Sequence, residues 1–584
     1  MKPNPRRRRQ PAYSYVESLE GRIAPASIVV TTLADSGPGS LRQAVLDANG
    51  TPGLDTITFK STLSGMLTLT SGQLYVTAPL TIKGPGSAKI LINGNHASRI
   101  FSVRDNDVNK ESPFSISGLA LINGLAPVAE GGGAILSTES VSISNAVISS
   151  NRAARGGGVF VNGSAGTKVS VTGSTIFGNA ATSGTGGGLY LAAQKGVQIL
   201  NSSVSGNSAN VSGGGAYLGV DHSSDPKAKI VITGSIFRGN TAENFGGAIE
   251  SAPEHHSVIV TKTEFSGNTA VNKGGALYLG GANLTMTSSQ VLGNLVTSVG
   301  SQGGGVYLGG GGSGTITASR FLGNTAGGTG GAIGFSGGGS PTAKLTLKAG
   351  SIAANTSVNG GGGIAATNGG TLAVQGTLFQ ANHAGGDGGG ILIFGTGLAK
   401  INLAVTGTFE GNNAHSGGGI DADGDGTILL KSSKFLNNST TSADGGGLYL
   451  RSNTAVTVMN TLFKGNRSSD EGGGFALLVR GGTATLSGLT ITDNSSRTDG
   501  GGLAIFSGPV HLTISKSKFM RNFSATGGGI SVFSTTLNLL TSIITGNVAQ
   551  SSAGGIYSAG APITVAPTTK LFGNVAPVNP DKNF

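Results

Sequence analysis

Three sets of residues in this chain have the types and spacing to do chemistry. The first is Asp421-Ala422-Asp423-Gly424-Asp425-Gly426, whose alternate carboxylates Asp421, Asp423 and Asp425 match the opening of a calcium loop, where hard oxygen ligands converge on one cation. The twelfth position of that loop is Ser432 rather than a glutamate, which excludes an EF-hand. Calcium at a coil corner and a solvated acidic turn are the two readings left, and no other cofactor is implied. The second set is the acids just before glycine triplets, Asp387, Asp444, Glu471 and Asp499, whose counterion is expected to be Arg467 and Arg497 ahead of the alternative, calcium. The third is aromatic: Phe160, Tyr190, Tyr217, Tyr278, Tyr307, Tyr449 and Tyr557 each follow a glycine run. A row of such rings on one face offers apolar area with polar tips, suited to a sugar or a partner protein. The same row also suits a packing ladder on half-buried parallel strands.

Catalytic constellations are harder to find. Glycoside hydrolysis needs two carboxylates held close together, and lyase-type elimination needs a base beside cation-binding acids. The chain has no Asp-Asp pair and no Gly-His-Gly, and its seven histidines are scattered. The one pair, His255-His256, would face opposite sides of a strand, which argues against joint metal ligation. No catalytic residue is assigned. A polysaccharide lyase or glycoside hydrolase is the alternative function, and it would draw on Asp421, Asp423 and Asp425 with Lys431 or Lys434 as base.

The elements that must position these residues are announced by glycine. It accounts for 104 of 584 residues against only 18 prolines, without a triplet period, so the glycines serve turns and not a collagen helix. Hydrophobic residues reach 37%, enough for a core and too many for a disordered chain. Cysteine is absent, which removes disulfides, thiolate metal sites and cysteine nucleophiles together. The net charge is +11, but Lys2, Arg6, Arg7, Arg8, Arg9 and Arg22 sit in the first 26 residues against Glu17 and Glu20. No basic run with interleaved aromatics follows, so nucleic acid is not an expected partner. No apolar run is long enough for a transmembrane helix.

An [aliphatic/Phe]-x-x-Asn anchor recurs sixteen times from Asn151 to Asn574, including Asn179, Asn207, Asn240 and Asn268, at a period of about 28 residues. Within one unit Leu189 and Leu191, then Val197 and Ile199, then Val204 alternate with polar residues at period two, so each unit makes three short strands around small aliphatics. Leucine-rich repeats share the period, but their helical return segment cannot accommodate glycine triplets. The expected fold is all-β: a right-handed, single-stranded parallel β-helix in which the anchor asparagines form an amide ladder and the glycine triplets turn the opposite corner. About sixteen coils are expected over residues 124–576, with a tail at 577–584. Residues 27–123 read as an N-terminal cap and first coils. Ser40 with Gln43 makes a capping box, and Leu41, Ala44, Val45 and Ala48 give the helix at about 40–49 one apolar face.

Segments such as Gly246-Gly247-Ala248-Ile249 paired with Phe265-Ser266-Gly267-Asn268 resemble the polymorphic outer-membrane protein repeat. That resemblance implies display on a bacterial surface, extracellular or at the outer membrane, and adhesion to glycan or surface protein. Members of that family end in a membrane β-barrel, which is not expected here because the last anchor lies close to Phe584. Ser36-Gly37-Pro38-Gly39-Ser40-Leu41-Arg42-Gln43-Ala44-Val45 resembles the CSLREA-type region of bacterial β-helix surface proteins, with Gly39 at the cysteine position. The basic start and Leu19-Glu20-Gly21-Arg22-Ile23-Ala24-Pro25 resemble a LEPR-xLL-type leader, while the apolar core of a standard signal peptide is missing. The functional expectation is a secreted or cell-surface structural or adhesive module that binds along its outward aromatic row.

Overall fold

The computed structural model describes residues 26–583 apart from 106, 108–109, 164–165, 221–224, 226, 253–255, 396–399, 453–454, 480–482 and 507–510. The leader and His255 lie outside the described residues.

One coil shows how the sequence makes the fold. Leu189–Ala192 is the strand of a first face, here called the glycine face because a glycine triplet feeds it. Val197–Leu200 and Ser203–Ser205 form a long, bent second face, and Ser208–Ala209 a narrow third face. Four residues of positive φ lie at the bends: Gly196 (φ 115°) between the first and second faces, Asn201 (φ 48°) within the long face, Gly206 (φ 59°) before the anchor asparagine, and Gly213 (φ 64°) opening the next triplet. The next coil begins in register, with Leu189 beside Ala216 and Tyr190 beside Tyr217. The two-residue third strand is too short to show periodicity, which is why the sequence yields only three strands per unit.

Every strand pair is parallel, and each coil pairs with the one before and the one after. The result is a right-handed β-helix of about 19 turns. At about 4.8 Å per coil it is a rod of roughly 85 Å. Sixteen of these turns end on an anchor asparagine; on the glycine face Leu74–Val76 and Phe101–Val103 precede them as the expected first coils, and Lys582–Asn583, placed in the expected tail, follows as a last strand beside Ile556–Tyr557.

The helix Leu41–Gly50 lies at the N-terminal end. Its N-cap Ser40 accepts from the Gln43 N–H at 3.2 Å, and it buries Leu41, Ala44, Val45 and Ala48. It packs against Ser27–Val30, Asp55–Phe59 and Leu74–Val76, so the apolar interior of the first coil is closed off from water. Among the described residues no helix is long and apolar enough to cross a membrane.

The interior holds Leu189, Leu191, Val197, Ile199 and Val204 fully buried, and each such side chain contributes about 1.5–3 kcal/mol. It is not wholly aliphatic, as the alternation suggests. Phe379, Phe409, Phe435, Phe463 and Phe475 are buried in one continuous stack with centroid spacings of 4.7, 4.9, 4.9 and 5.6 Å. The coil repeat sets the spacing of the first four, because parallel in-register strands place equivalent rings one above another, whereas Phe475 reaches Phe463 across the interior from the glycine face.

Candidate ligand-binding surfaces

The sixteen anchor asparagines form one buried hydrogen-bonded column. Asn179 donates from Nδ2 and from its main-chain N–H to Asn207 Oδ1 at 2.9 and 3.0 Å, and its second Nδ2 hydrogen goes to the Ile148 carbonyl at 2.9 Å. Asn207, Asn240 and Asn268 repeat this, each to the next. Gly124 N–H meets Asn151 Oδ1 at one end, and Asn574 Nδ2 donates to Asp581 at the other. With donors and acceptors all used internally, the column has nothing to offer a ligand. A second column, invisible in the anchor pattern, runs along the bend of the long face: the N–H groups of Ala146, Ser174 and Ser202 donate to the hydroxyls of Ser174, Ser202 and Ser235.

The aromatic residues do share one outward register position on the glycine face, running from Phe160 through Tyr190, Tyr217, Glu250 and Tyr278 to Tyr307. Their rings stack on one another. Phe160, Tyr190 and Tyr217 are half-buried, spaced 4.5 and 4.7 Å and nearly parallel, which takes up the ring faces between neighbours. A shallow recess of about 170 Å³ lies beside Tyr190 and Tyr217, with Asn162 and Gln194 in its lining.

Glu250 interrupts the row, and Phe245, which the glycine-run pattern misses, stacks on Tyr278 at 4.4 Å. Tyr307, expected to be exposed, is only 7% exposed. Lys273 Nζ lies 4.4 Å from its ring centroid, and the main chain at Gly309 runs so close that a Cβ there would sit 2.5 Å from the ring. Tyr449 stands apart, with the Arg451 guanidinium 4.8 Å from its ring. Burial pushes the Glu250 carboxyl up to about 7 against one hydrogen bond with Ser212, and its Oε2 is buried without a hydrogen-bond partner among the described residues.

Asp421 occupies the same outward column but is fully buried. Ser416 donates to it, and Arg451 Nη2 pairs with it at 2.9 Å while Arg451 Nε reaches Asp423 at 3.4 Å. Burial outweighs these partners and raises Asp421 to about 6. A guanidinium therefore sits between two of the three carboxylates considered for calcium. Asp425 lies beyond them, its N–H donating to the Gly395 carbonyl at 3.1 Å. Among the described residues no group of three or more His, Asp or Glu side chains is placed to hold a metal ion.

Lys431 and Lys434 belong to strands of the long face, not to the face of Asp421. Glu250 and Asp421 are six coils apart, about 29 Å at 4.8 Å per coil, whereas a glycosidase pair needs roughly 5–10 Å.

Asp444, Glu471 and Asp499 stack on successive coils, where Gly445 and Gly472 N–H donate to the Glu471 and Asp499 carbonyls at 3.0 Å. Arg467 and Arg497 are not their counterions: among the described residues no ion pair joins either arginine to this column. Burial, and then repulsion from Asp444, Asp499 and Asp470, raises Glu471 to about 8, so protonation relieves the like charges.

Residues 389–569 match the family model described as right handed beta helix region, and residues 262–280 match the Chlamydia polymorphic membrane protein repeat. No curated protein matches the chain. Among solved structures it is similar to bacteriophage CBA120 tailspike protein 3, at 14% identity and a TM-score of 0.28 over 81% of this chain; the match spans 56% of the tailspike chain. It is also similar to PfbA, a surface adhesin of Streptococcus pneumoniae, at 12% identity and a TM-score of 0.21 over 85% of this chain and 91% of that one. The fold is thus a right-handed parallel β-helix that carries, at residues 262–280, a match to the Chlamydia polymorphic membrane protein repeat.

Proposed function

We propose that the chain is a secreted or cell-surface β-helix that acts as a structural or adhesive module, and that a glycan or protein meets it along the aromatic column of the glycine face. The observation that carries this reading is the Phe160–Tyr190–Tyr217 stack beside its recess, where polar tips and apolar edges lie together on a rigid sheet. Paired ring faces leave hydroxyls and edges for recognition, which favours hydrogen bonding over face-on stacking. The polymorphic membrane protein repeat match supports display at a bacterial surface.

The test is a glycan array and cell-binding assay on wild type, the Tyr190→Phe/Tyr217→Phe double variant and the Tyr190→Ala/Tyr217→Ala double variant. If recognition runs through the tips, the phenylalanine pair loses binding while keeping its melting temperature. A purely structural spacer leaves binding unchanged in all three. Depolymerisation of a bound glycan would favour the lyase or hydrolase alternative.

A further inference from the structure

The two arginines that do not neutralise the acid column have another place. Arg467 and Arg497, both exposed, line an open groove of about 510 Å³ on the narrow face, within the roughly 300–1,000 Å³ typical of small-ligand sites. The groove crosses coils in register: Ser439, Arg467, Ser495 and Phe523 bridge one to the next, and Phe523–Thr526 pairs with Val548–Ser552, which brings Gln550 to its far end.

Three properties distinguish this surface from the aromatic column. Its two guanidiniums are without an ion pair among the described residues. Phe523 is 41% exposed and stacks on no other ring there, so a ring face is open. Between these groups lie the Ser469 hydroxyl, which donates to the Thr440 carbonyl at 2.8 Å and keeps its acceptor sites, the Ser495 hydroxyl, and the Gln550 amide, which both donates and accepts.

We propose that this groove is a binding site for an acidic oligosaccharide. Arg467 and Arg497, on successive coils about 5 Å apart along the axis, take the anionic groups of the sugar chain. Phe523 packs under an apolar ring face, and the serines and Gln550 meet the hydroxyls. A neutral glycan would leave both guanidiniums unused. A nucleic acid strand would be held by stacked bases, for which a single open ring is a poor platform. The neighbouring acid column opposes an anion, but the raised Glu471 carboxyl is mostly neutral at pH 7, so its repulsion is already relieved there and returns only as pH rises past about 8. The site is independent of the Tyr190 and Tyr217 tips.

The experiment is titration calorimetry of the full chain at low salt with four probes: a carboxylated tetragalacturonate, a sulfated chondroitin tetrasaccharide, neutral cellotetraose and an oligothymidylate of matched charge. The expected result is binding of one or both acidic oligosaccharides, with the two arms telling carboxylate from sulfate. Cellotetraose and the oligothymidylate bind at least tenfold more weakly. Arg467→Ala/Arg497→Ala and Phe523→Ala each lower affinity tenfold or more with an unchanged melting curve, whereas Tyr190→Phe/Tyr217→Phe leaves it intact. The proposal is overturned if neither acidic sugar binds, if the oligothymidylate or the neutral sugar binds as well, or if the arginine pair can be removed without effect.

Discussion

Removing one amide from the middle of the asparagine column tests whether the column holds the rod together. Asn355 is fully buried, and its Oδ1 accepts from both Asn324 N–H and Asn324 Nδ2 at 2.9 Å. Its Nδ2 donates to Asn382 Oδ1 at 2.9 Å and to the Phe321 carbonyl at 3.2 Å. Asn355→Ala leaves two buried donors of Asn324 with no acceptor; at about 1–3 kcal/mol each, the loss is roughly 2–6 kcal/mol. The same change at Asn574 strands equivalent donors of Asn547, but the last coil lies against solvent and water can replace the acceptor, so the loss is about 1 kcal/mol or less. Guanidinium denaturation followed by circular dichroism reads both values. A drop in m-value for Asn355→Ala would show the array dividing into two cooperative blocks at the missing amide.

Asn355→Asp adds a directional check. It keeps the acceptor for Asn324 but turns an oxygen toward Asn382 Oδ1 and the Phe321 carbonyl, so the native state favours the protonated acid. Stability should then be highest below the unfolded value of about 4 and fall by about 1.4 kcal/mol per pH unit above it until the native pKa is passed. A loss below 1 kcal/mol for Asn355→Ala, or an Asn355→Asp variant whose stability relative to wild type is flat from pH 4 to 7, would refute the reasoning.

Four other outcomes follow from the same geometry. Native Glu250 holds its proton up to about pH 7, against an ordinary value near 4.5, so the native state binds more protons in that window and stability falls by about 3 kcal/mol as pH rises through it. Glu250→Gln should flatten that part of the melting-temperature profile. Arg451→Met leaves Asp421 buried without its cation and should cost about 3–5 kcal/mol at pH 7, less at pH 4, with much of it recovered in Arg451→Met/Asp421→Asn. Chelating calcium should leave the melting temperature unchanged, since Arg451 already lies against Asp421 and Asp423. Gly187→Ala would place a methyl 2.2 Å from the Gly214 carbonyl oxygen and should abolish soluble folding, whereas Gly178→Ala meets nothing within 4 Å and pays only for its φ of 62°, about 1–2 kcal/mol.

The fold was legible because each coil repeats one physical solution. The [aliphatic/Phe]-x-x-Asn anchor, the glycine triplets and the period-two alternation at Leu189, Leu191, Val197 and Ile199 each signal the same parallel stack, and Ser40 with Gln43 marks the capping helix. What stayed hidden was whatever depends on neighbours in adjacent coils. Phe245 follows no glycine run, yet it fills the gap that Glu250 leaves in the aromatic column. Tyr307 follows a glycine triplet as Tyr190 does, but the main chain at Gly309, where the Tyr190 coil has Ala192, covers it. Arg467 and Arg497 are close in sequence to the acids, but their placement toward the narrow face could not be read from spacing.

In a solenoid a residue's natural partner is its own counterpart one coil away. Asparagine bonds to asparagine, serine to serine and ring to ring, and such residues are complete without a ligand. Positions where that self-matching breaks are therefore the informative ones. Glu250 stands between Tyr217 and Tyr278, Asp421 between Leu392 and Tyr449, and Arg467 between Ser439 and Ser495. The first two are buried enough that their charge is suppressed or paired. Arg467 is exposed, has no ion pair among the described residues and lines the same groove as Phe523, so of the three it is the break left open to a partner from outside the chain.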